Sequence, residues 1–202
     1  MIAAIEPRRE DVIITLGDVI DRGPNSRGVL EQLLELRQQC SLRPILGNHE
    51  EMFLAVIRGK SSPHRWLQFG GASTLDSYGF SGDLSVIPSD HVEFIASFED
   101  FIECDSHFFV HANYESRLPL AEQKSLWLRW VTLDQTMPGP HISGKIAVVG
   151  HTADTSGEML NMRHLKCIDT YCYGGKWLTA LDIMTGQFWQ ANDLGVLRGT
   201  TS

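Results

Sequence analysis

Four short apolar runs, each stopped by a side chain able to bind a metal ion, constrain this chain more than any other feature. Val12-Ile13-Ile14-Thr15-Leu16 stops at Gly17-Asp18, and Arg43-Pro44-Ile45-Leu46 stops at Gly47-Asn48. His107-Phe108-Phe109-Val110 stops at His111, and Ile146-Ala147-Val148-Val149 stops at Gly150-His151. Runs of this length, rich in β-branched and aromatic residues, read as buried strands. A glycine ahead of the polar residue lets the chain turn sharply and leaves room for an ion.

Helical patterns fill the gaps between the strands. Pro24-Asn25-Ser26 is a helix-starting turn, and Val29, Leu30, Leu33, Leu34 and Leu36 then recur at helical spacing, which predicts a helix to near Gln39. A second helix is predicted over 49–58, with Met52, Phe53, Val56 and Ile57 on one side. Strand, turn and helix repeated in this order is the pattern of an α/β fold, whose ligands sit beyond the carboxyl ends of the strands. Residues 61–101 read as mostly helical, with Gly70-Gly71 and Gly79 as punctuation and Trp66, Phe69, Leu75 and Tyr78 in the core. Pro88-Ser89-Asp90 opens a helix through Phe98. The tail holds short strands near 165–168, 177–182 and 187–190, with turns at Gly174-Gly175 and Thr185-Gly186. With no repeat, low-complexity stretch or linker, residues 1–202 read as a single domain.

Asp18, Asn48, His111 and His151 offer one carboxylate, one amide oxygen and two imidazoles. That mixed set suits Mn²⁺, Fe or Zn²⁺ better than Ca²⁺. Each residue alone has a plain explanation, since an aspartate after a strand is usually in a turn and a histidine there is usually hydrogen-bonded. Their order and spacing set them apart together.

Gly17-Asp18-Val19-Ile20-Asp21-Arg22-Gly23 matches a G-D-x-x-D-R-G motif, and Gly47-Asn48-His49-Glu50 a G-N-H-E motif. His111-Ala112-Asn113 and Gly150-His151-Thr152 supply an H-A-x and a G-H-T element, and 66–79 is similar to bacterial and phage forms. On these residues the chain resembles the phosphoprotein phosphatase branch of the calcineurin-like metallophosphoesterases. The resemblance implies a four-layer sandwich of two mixed sheets flanked by helices. It implies two divalent metals, with Asp18 bridging them and Asn48, His111 and His151 completing the ligands of the second metal. His49 is implied as the acid that protonates the leaving oxygen, Asp21 as its orienting carboxylate, and Arg22 as a phosphate clamp. Arg129, in Trp127-Leu128-Arg129-Trp130, is either a second clamp or a surface arginine. Glu50 reads as a helix-start or supporting residue, and His64, His91, His107, His141 and His164 as structural or exposed.

The expected activity is serine/threonine phosphatase-like phosphoester hydrolysis by a metal-activated water. The alternatives are a dinucleoside polyphosphate hydrolase and a non-catalytic relative that binds phosphorylated partners. Substrates are then phosphorylated proteins or small phosphoesters. The family's first motif, a strand ending in D-x-H, has no counterpart: no histidine precedes His49, and Asp11 lies before a strand. Asp105-Ser106-His107 spells D-x-H but leads into the His111 strand, and reads as coincidence. The first strand is therefore expected to be missing, through an internal start or natural reduction. One tightly bound metal is expected, with an exposed sheet edge that favours a homodimer.

A net charge of −8 argues against gripping nucleic acid by its phosphates. No apolar run is long enough to span a bilayer and the start does not read as a signal peptide, so the expectation is cytoplasmic. Cys40, Cys104, Cys167 and Cys172 form no C-x-x-C pair, which predicts reduced thiols without a structural zinc cluster.

Overall fold

The computed structural model describes residues 1–199, which form an α/β fold in two compact units. One is Arg8–Phe101; the other joins Met1–Pro7 to the chain from Ile102 on. No helix among the described residues is long and apolar enough to cross a membrane.

The second of these units opens with a four-residue helix, α1 (Ile2–Ile5). The Arg8–Phe101 unit is built on β1 (Val12–Thr15), α2 (Ser26–Gln39), β2 (Ser41–Pro44) and α3 (Asn48–Ile57). β1 and β2 pair in parallel, Val12 opposite Ser41 through Thr15 opposite Pro44. The crossover between them is α2, capped by the Asn25 side chain, which accepts from the Gly28 amide at 3.0 Å. Leu30, Leu33 and Leu36 are its buried stripe, while Val29 is exposed. The second strand was expected at 43–46. Extended chain does run through Leu46, but its partner changes: Ile45 donates to the Thr15 carbonyl and pairs with Glu99, and Leu46 donates to the Glu99 carbonyl. An Arg43–Glu99 fork (2.8 and 2.5 Å) fastens the same join.

Beyond α3 the chain forms α4 (His64–Trp66), a wide turn (Leu67–Gly71), α5 (Ala72–Ser77) and α6 (Ser89–Ala96). Trp66, Leu75 and Tyr78 are buried as expected, but Phe69 is 42% exposed and is not a core residue. The wide turn explains the difference. Leu67–Gly71 is wound wider than an α-helix, so the spacing that would bring Phe69 to the buried side of a regular helix leaves it outside.

In the other unit a five-stranded mixed sheet runs β3 (Phe101–Glu103), β4 (His107–Val110), β5 (Ile146–Val149), β7 (Leu165–Cys167) and β6 (Leu160–Asn161) across its width. β4, β5 and β7 are parallel neighbours, and β6 is antiparallel to β7. β4 is buried along its whole length, as a central parallel strand covered on both faces should be. A helix, α7 (Ser125–Arg129), interrupts the long β4–β5 connection. The tail forms a three-stranded antiparallel sheet of β8 (Asp169–Thr170), β9 (Trp177–Leu181) and β10 (Phe188–Ala191). Its β9–β10 turn is organised by Asp182, whose carboxylate accepts from the Met184 and Thr185 amides.

Candidate functional site

In the Arg8–Phe101 unit, five of the predicted residues lie on the loop after β1 and at the start of α3. The loop after β1 is conformationally costly: Gly17, Asp18, Asp21 and Arg22 have φ of +90°, +55°, +71° and +60°. For a non-glycine residue the left-handed region costs of order 1 kcal/mol, and such positions persist only where their surroundings over-determine them.

The surroundings here are explicit. Buried Glu50, in the first turn of α3, accepts from the Asp18 amide (2.9 Å), the Val19 amide (2.8 Å) and the Gly47 amide (3.0 Å). One carboxylate thus ties the loop after β1 to the loop before α3. Gly47 has to be glycine, because a Cβ there would lie 2.5 Å from Asp18 Oδ1 and 2.6 Å from Glu50 Oε2. Further along, the Asp21 amide lies 2.9 Å from Thr74 Oγ1, and the Arg22 amide donates to the Gly70 carbonyl at 3.2 Å. A Cβ on Gly70 would meet the Arg22 amide at 2.9 Å, so this glycine is also imposed by close approach.

His49 is 1% exposed, its Nδ1 2.7 Å from Asp21 Oδ2. Asp21 is buried and also accepts from the Trp66 indole (2.9 Å) and the Thr74 hydroxyl (2.6 Å). Three donors therefore fix a carboxylate that in turn fixes the imidazole. His49 Nε2 is buried with no hydrogen-bond partner, 3.9 Å from Asp18 Oδ2. Burial alone would push the His49 imidazole down. The Asp21 hydrogen bond and the Asp18 and Asp21 charges outweigh burial and the nearby Arg22, and the group is held above its ordinary value. Asn48 is buried at the start of α3, and the Arg22 side chain is exposed.

The second unit holds the other three candidates, His111, His151 and Arg129, and brings the two histidines together. β4 and β5 are adjacent and parallel, with Phe109 opposite Val148, so His111 and His151 leave neighbouring strand ends on the same side. His111 Nε2 and His151 Nδ1 are 3.1 Å apart. His151 stands at φ +63°, and its Nε2–H donates to the Trp130 carbonyl at 3.2 Å. That bond leaves the Nδ1 lone pair facing His111. Two ligands ~2.1 Å from one ion lie ~3.0–3.4 Å apart when the angle between them is 90–109°. The spacing of the two nitrogens therefore fits neighbouring positions around a metal.

Arg129 is 8% exposed, not a surface residue. The carbonyls on either side of it, Leu128 and Trp130, receive the Ala112 amide and the His151 ring. Two further residues of the motifs hold this loop. Asn113 Nδ2 donates to the Thr136 carbonyl (2.8 Å), and Thr152 Oγ1 accepts from the Leu133 amide (2.9 Å). The unassigned histidines are packed or exposed. His91 meets the Tyr78 hydroxyl at 2.6 Å, His141 donates to the Leu118 carbonyl, His164 to the Pro138 carbonyl, and His64 is exposed. In the D-x-H look-alike, His107 is buried within β4 and Asp105 is exposed.

Comparison with known proteins now decides the family. The model for calcineurin-like phosphoesterases matches residues 1–153. The chain belongs to that family. A symmetrical bis(5'-nucleosyl)-tetraphosphatase from Janthinobacterium sp. (strain Marseille) is 29% identical over 111 residues, 55% of this chain and 35% of the relative. Serine/threonine-protein phosphatase 1 of Salmonella typhimurium is 40% identical over 63 residues, 31% of this chain and 27% of that protein. The chain thus matches about a third or less of the length of these relatives. A crystal structure of a proposed diadenosine tetraphosphatase superposes with a TM-score of 0.70 at 17% identity, covering 98% of this chain and 86% of that one. At that identity the likeness concerns the fold. Family membership implies divalent metal ions, and the carboxylate, amide and paired imidazole donors described above suit them.

Proposed function

We propose that this phosphoesterase hydrolyses phosphate monoesters, those of phosphoserine and phosphothreonine among them, in a metal-dependent reaction. The observation that carries the reading is the buried Asp21–His49 pair. Its Nδ1 is held at 2.7 Å by a carboxylate that is itself fixed by Trp66 and Thr74, and its Nε2 is left without a partner. An imidazole oriented in this way is suited to hand a proton to a leaving oxygen.

The remaining roles follow from side-chain chemistry. Asp18, Asn48, His111 and His151 are proposed to hold the metal, with Asp18 the residue that would also touch a second ion in two-metal members. Manganese is the preferred ion, with iron and zinc as alternatives. When bound, such an ion polarises phosphoryl oxygens and lowers the pKa of water. Arg22, exposed on a rigid backbone, presents a planar fork that matches two phosphate oxygens. Arg129 is proposed as a second clamp. Free cysteines throughout fit a cytoplasmic setting.

A second reading, hydrolysis of dinucleoside polyphosphates, is favoured by the tetraphosphatase relative, whose match spans 111 residues. Purified protein with Mn²⁺ should be assayed on a phosphoserine peptide and on diadenosine tetraphosphate, with His49→Asn as control. The proposal expects faster turnover of the peptide and a loss of at least a hundredfold in the variant, with metal content unchanged. Preference for the dinucleotide would favour the second reading. Parallel loss of metal and activity would remove His49 from the role of acid. Binding of the phosphopeptide without turnover would make the chain a non-catalytic receptor.

A further inference from the structure

Phe69 is the exposed aromatic residue that adjoins the proposed acid. Its ring stands edge-to-face with the His49 ring, centroids 6.5 Å apart at 86°, and it is 42% exposed. The Arg65 guanidinium lies 5.9 Å from the ring centre and helps hold it in place. The backbone fixes the position further. Phe69 immediately precedes Gly70, whose carbonyl receives the Arg22 amide and where a Cβ would lie 2.8 Å from the Arg22 side chain. One turn therefore carries an accessible aromatic ring against the residue proposed to protonate the leaving oxygen, and its next residue is bonded to the backbone of the residue proposed to hold the phosphate. Core packing does not account for it, because Phe53 and Trp66 already pack against each other at 5.6 Å and Trp66 is buried. Leaving a phenylalanine in water at this point forgoes the stabilisation its burial would give.

We propose that Phe69 is a platform for the leaving group and selects phosphoesters in which an aromatic ring is bonded directly to the ester oxygen. This inference rests on the assignment of His49 and Arg22 above. An ester oxygen within hydrogen-bond reach of His49, about 3 Å, carries a directly attached ring into the ~4.5–7 Å range over which aromatic rings pair. An alkyl leaving group, such as that of phosphoserine, gains no such contact. A nucleobase is separated from its phosphate by a sugar and is carried past the platform. Phosphotyrosine-type esters should therefore be preferred over phosphoserine esters of the same peptide by about tenfold, the size expected of one aromatic pair.

Two measurements test this on the purified wild-type chain, Phe69→Ala and Phe69→Trp. The first is kcat/KM for phosphotyrosine and phosphoserine versions of one peptide and for phenyl phosphate. The second is equilibrium binding of benzylphosphonate and ethylphosphonate, in which a CH₂ group stands in for the ester oxygen, by calorimetry, which needs no turnover. The expected result is an aryl-over-alkyl ratio of about ten in wild type, near one in Phe69→Ala and restored in Phe69→Trp, by both measurements. A wild-type binding ratio near one, or a ratio unchanged in Phe69→Ala, overturns the proposal. If no substrate is turned over but the binding ratio behaves as expected, the platform stands and the hydrolytic assignment falls. If hydrolysis occurs with no aryl preference, the reverse holds.

Discussion

At the scale of single residues, Glu50 concentrates more constraint than any residue proposed to touch substrate. Its Oε2 accepts two amides and its Oε1 a third, and these belong to the loop that carries Asp18 and to Gly47 just before Asn48. Glu50→Gln keeps the shape but turns one acceptor into a donor. With the amide oxygen at the Oε2 position, the NH₂ group faces the Val19 N–H, donor against donor. A buried unsatisfied amide plus the lost charge should cost about 2–3 kcal/mol, read as a lower urea midpoint, together with weaker metal retention. An unchanged midpoint would show that the loops hold their left-handed residues by other means. The Cys167 thiol offers a second test. Burial pushes it up to about 12, so at pH 8 roughly one molecule in ten thousand carries the reactive thiolate. Alkylation of the native chain followed by mass spectrometry should modify the less buried Cys104 well before Cys167. Early labelling of Cys167 would mean that the β7 strand opens readily. Sequence gave partial notice of these residues. Glu50 sits three positions after a helix-capping glycine, the place where a capping carboxylate is common. Nothing in the sequence pairs Asp21 with Trp66 or Thr74, because those contacts span 45 and 53 positions.

Among the elements, the wide turn at Leu67–Gly71 is where local pattern and structure part company. Trp66, Phe69 and the glycine pair read as a helix with a pause, which put Phe69 in the core. The chain instead uses Gly70 to reverse its backbone sense against Arg22 and Gly71 to clear Trp66, where a Cβ would sit 2.4 Å from the indole. Such close approaches are set by chain segments distant in sequence and leave only the glycines as a trace. Gly70→Ala should therefore be destabilising twice over, through a φ of +107° and through collision with the Arg22 backbone. A loss of about 2 kcal/mol or more is expected in chemical denaturation, with a raised KM for phosphoesters as Arg22 is displaced. A variant that melts like wild type with an unaltered KM would refute the coupling of this turn to Arg22. The strands were more legible. β4 and β5 were visible because a buried parallel strand reads as a nearly continuous apolar run, and the predicted histidine follows β4 directly and β5 after one glycine. β3, β6 and β8 are two or three residues long, too short for any periodicity to register.

On the scale of the molecule, the proposed ligands come from four stretches separated by 30, 63 and 40 positions in Asp18, Asn48, His111 and His151. An ion held by all four would link parts of the sequence that share no local structure, and so should stabilise the whole chain and not one loop. Linkage sets the size of the effect. A ligand at a hundred times its Kd that binds only the folded state adds about 2.7 kcal/mol. For a chain near 200 residues, each kcal/mol moves the midpoint by roughly 2–4 °C. Thermal unfolding of chelator-treated protein should therefore begin roughly 5–10 °C lower than in saturating Mn²⁺, and the difference should scale with the logarithm of free metal. Asp18→Asn and His151→Ala should each remove most of that increment, since each takes away one donor of the same site, and their effects should not add. Stoichiometry by metal analysis should be one ion per chain, the number that these four donors can enclose. If His151→Ala abolishes the Mn²⁺ increment and Asp18→Asn leaves it intact, the imidazole pair binds metal without the carboxylate and the four-ligand assignment is wrong. If chelation changes nothing while hydrolysis still requires Mn²⁺, the ion arrives with substrate, and the loops are held by Glu50 and Asp21 alone.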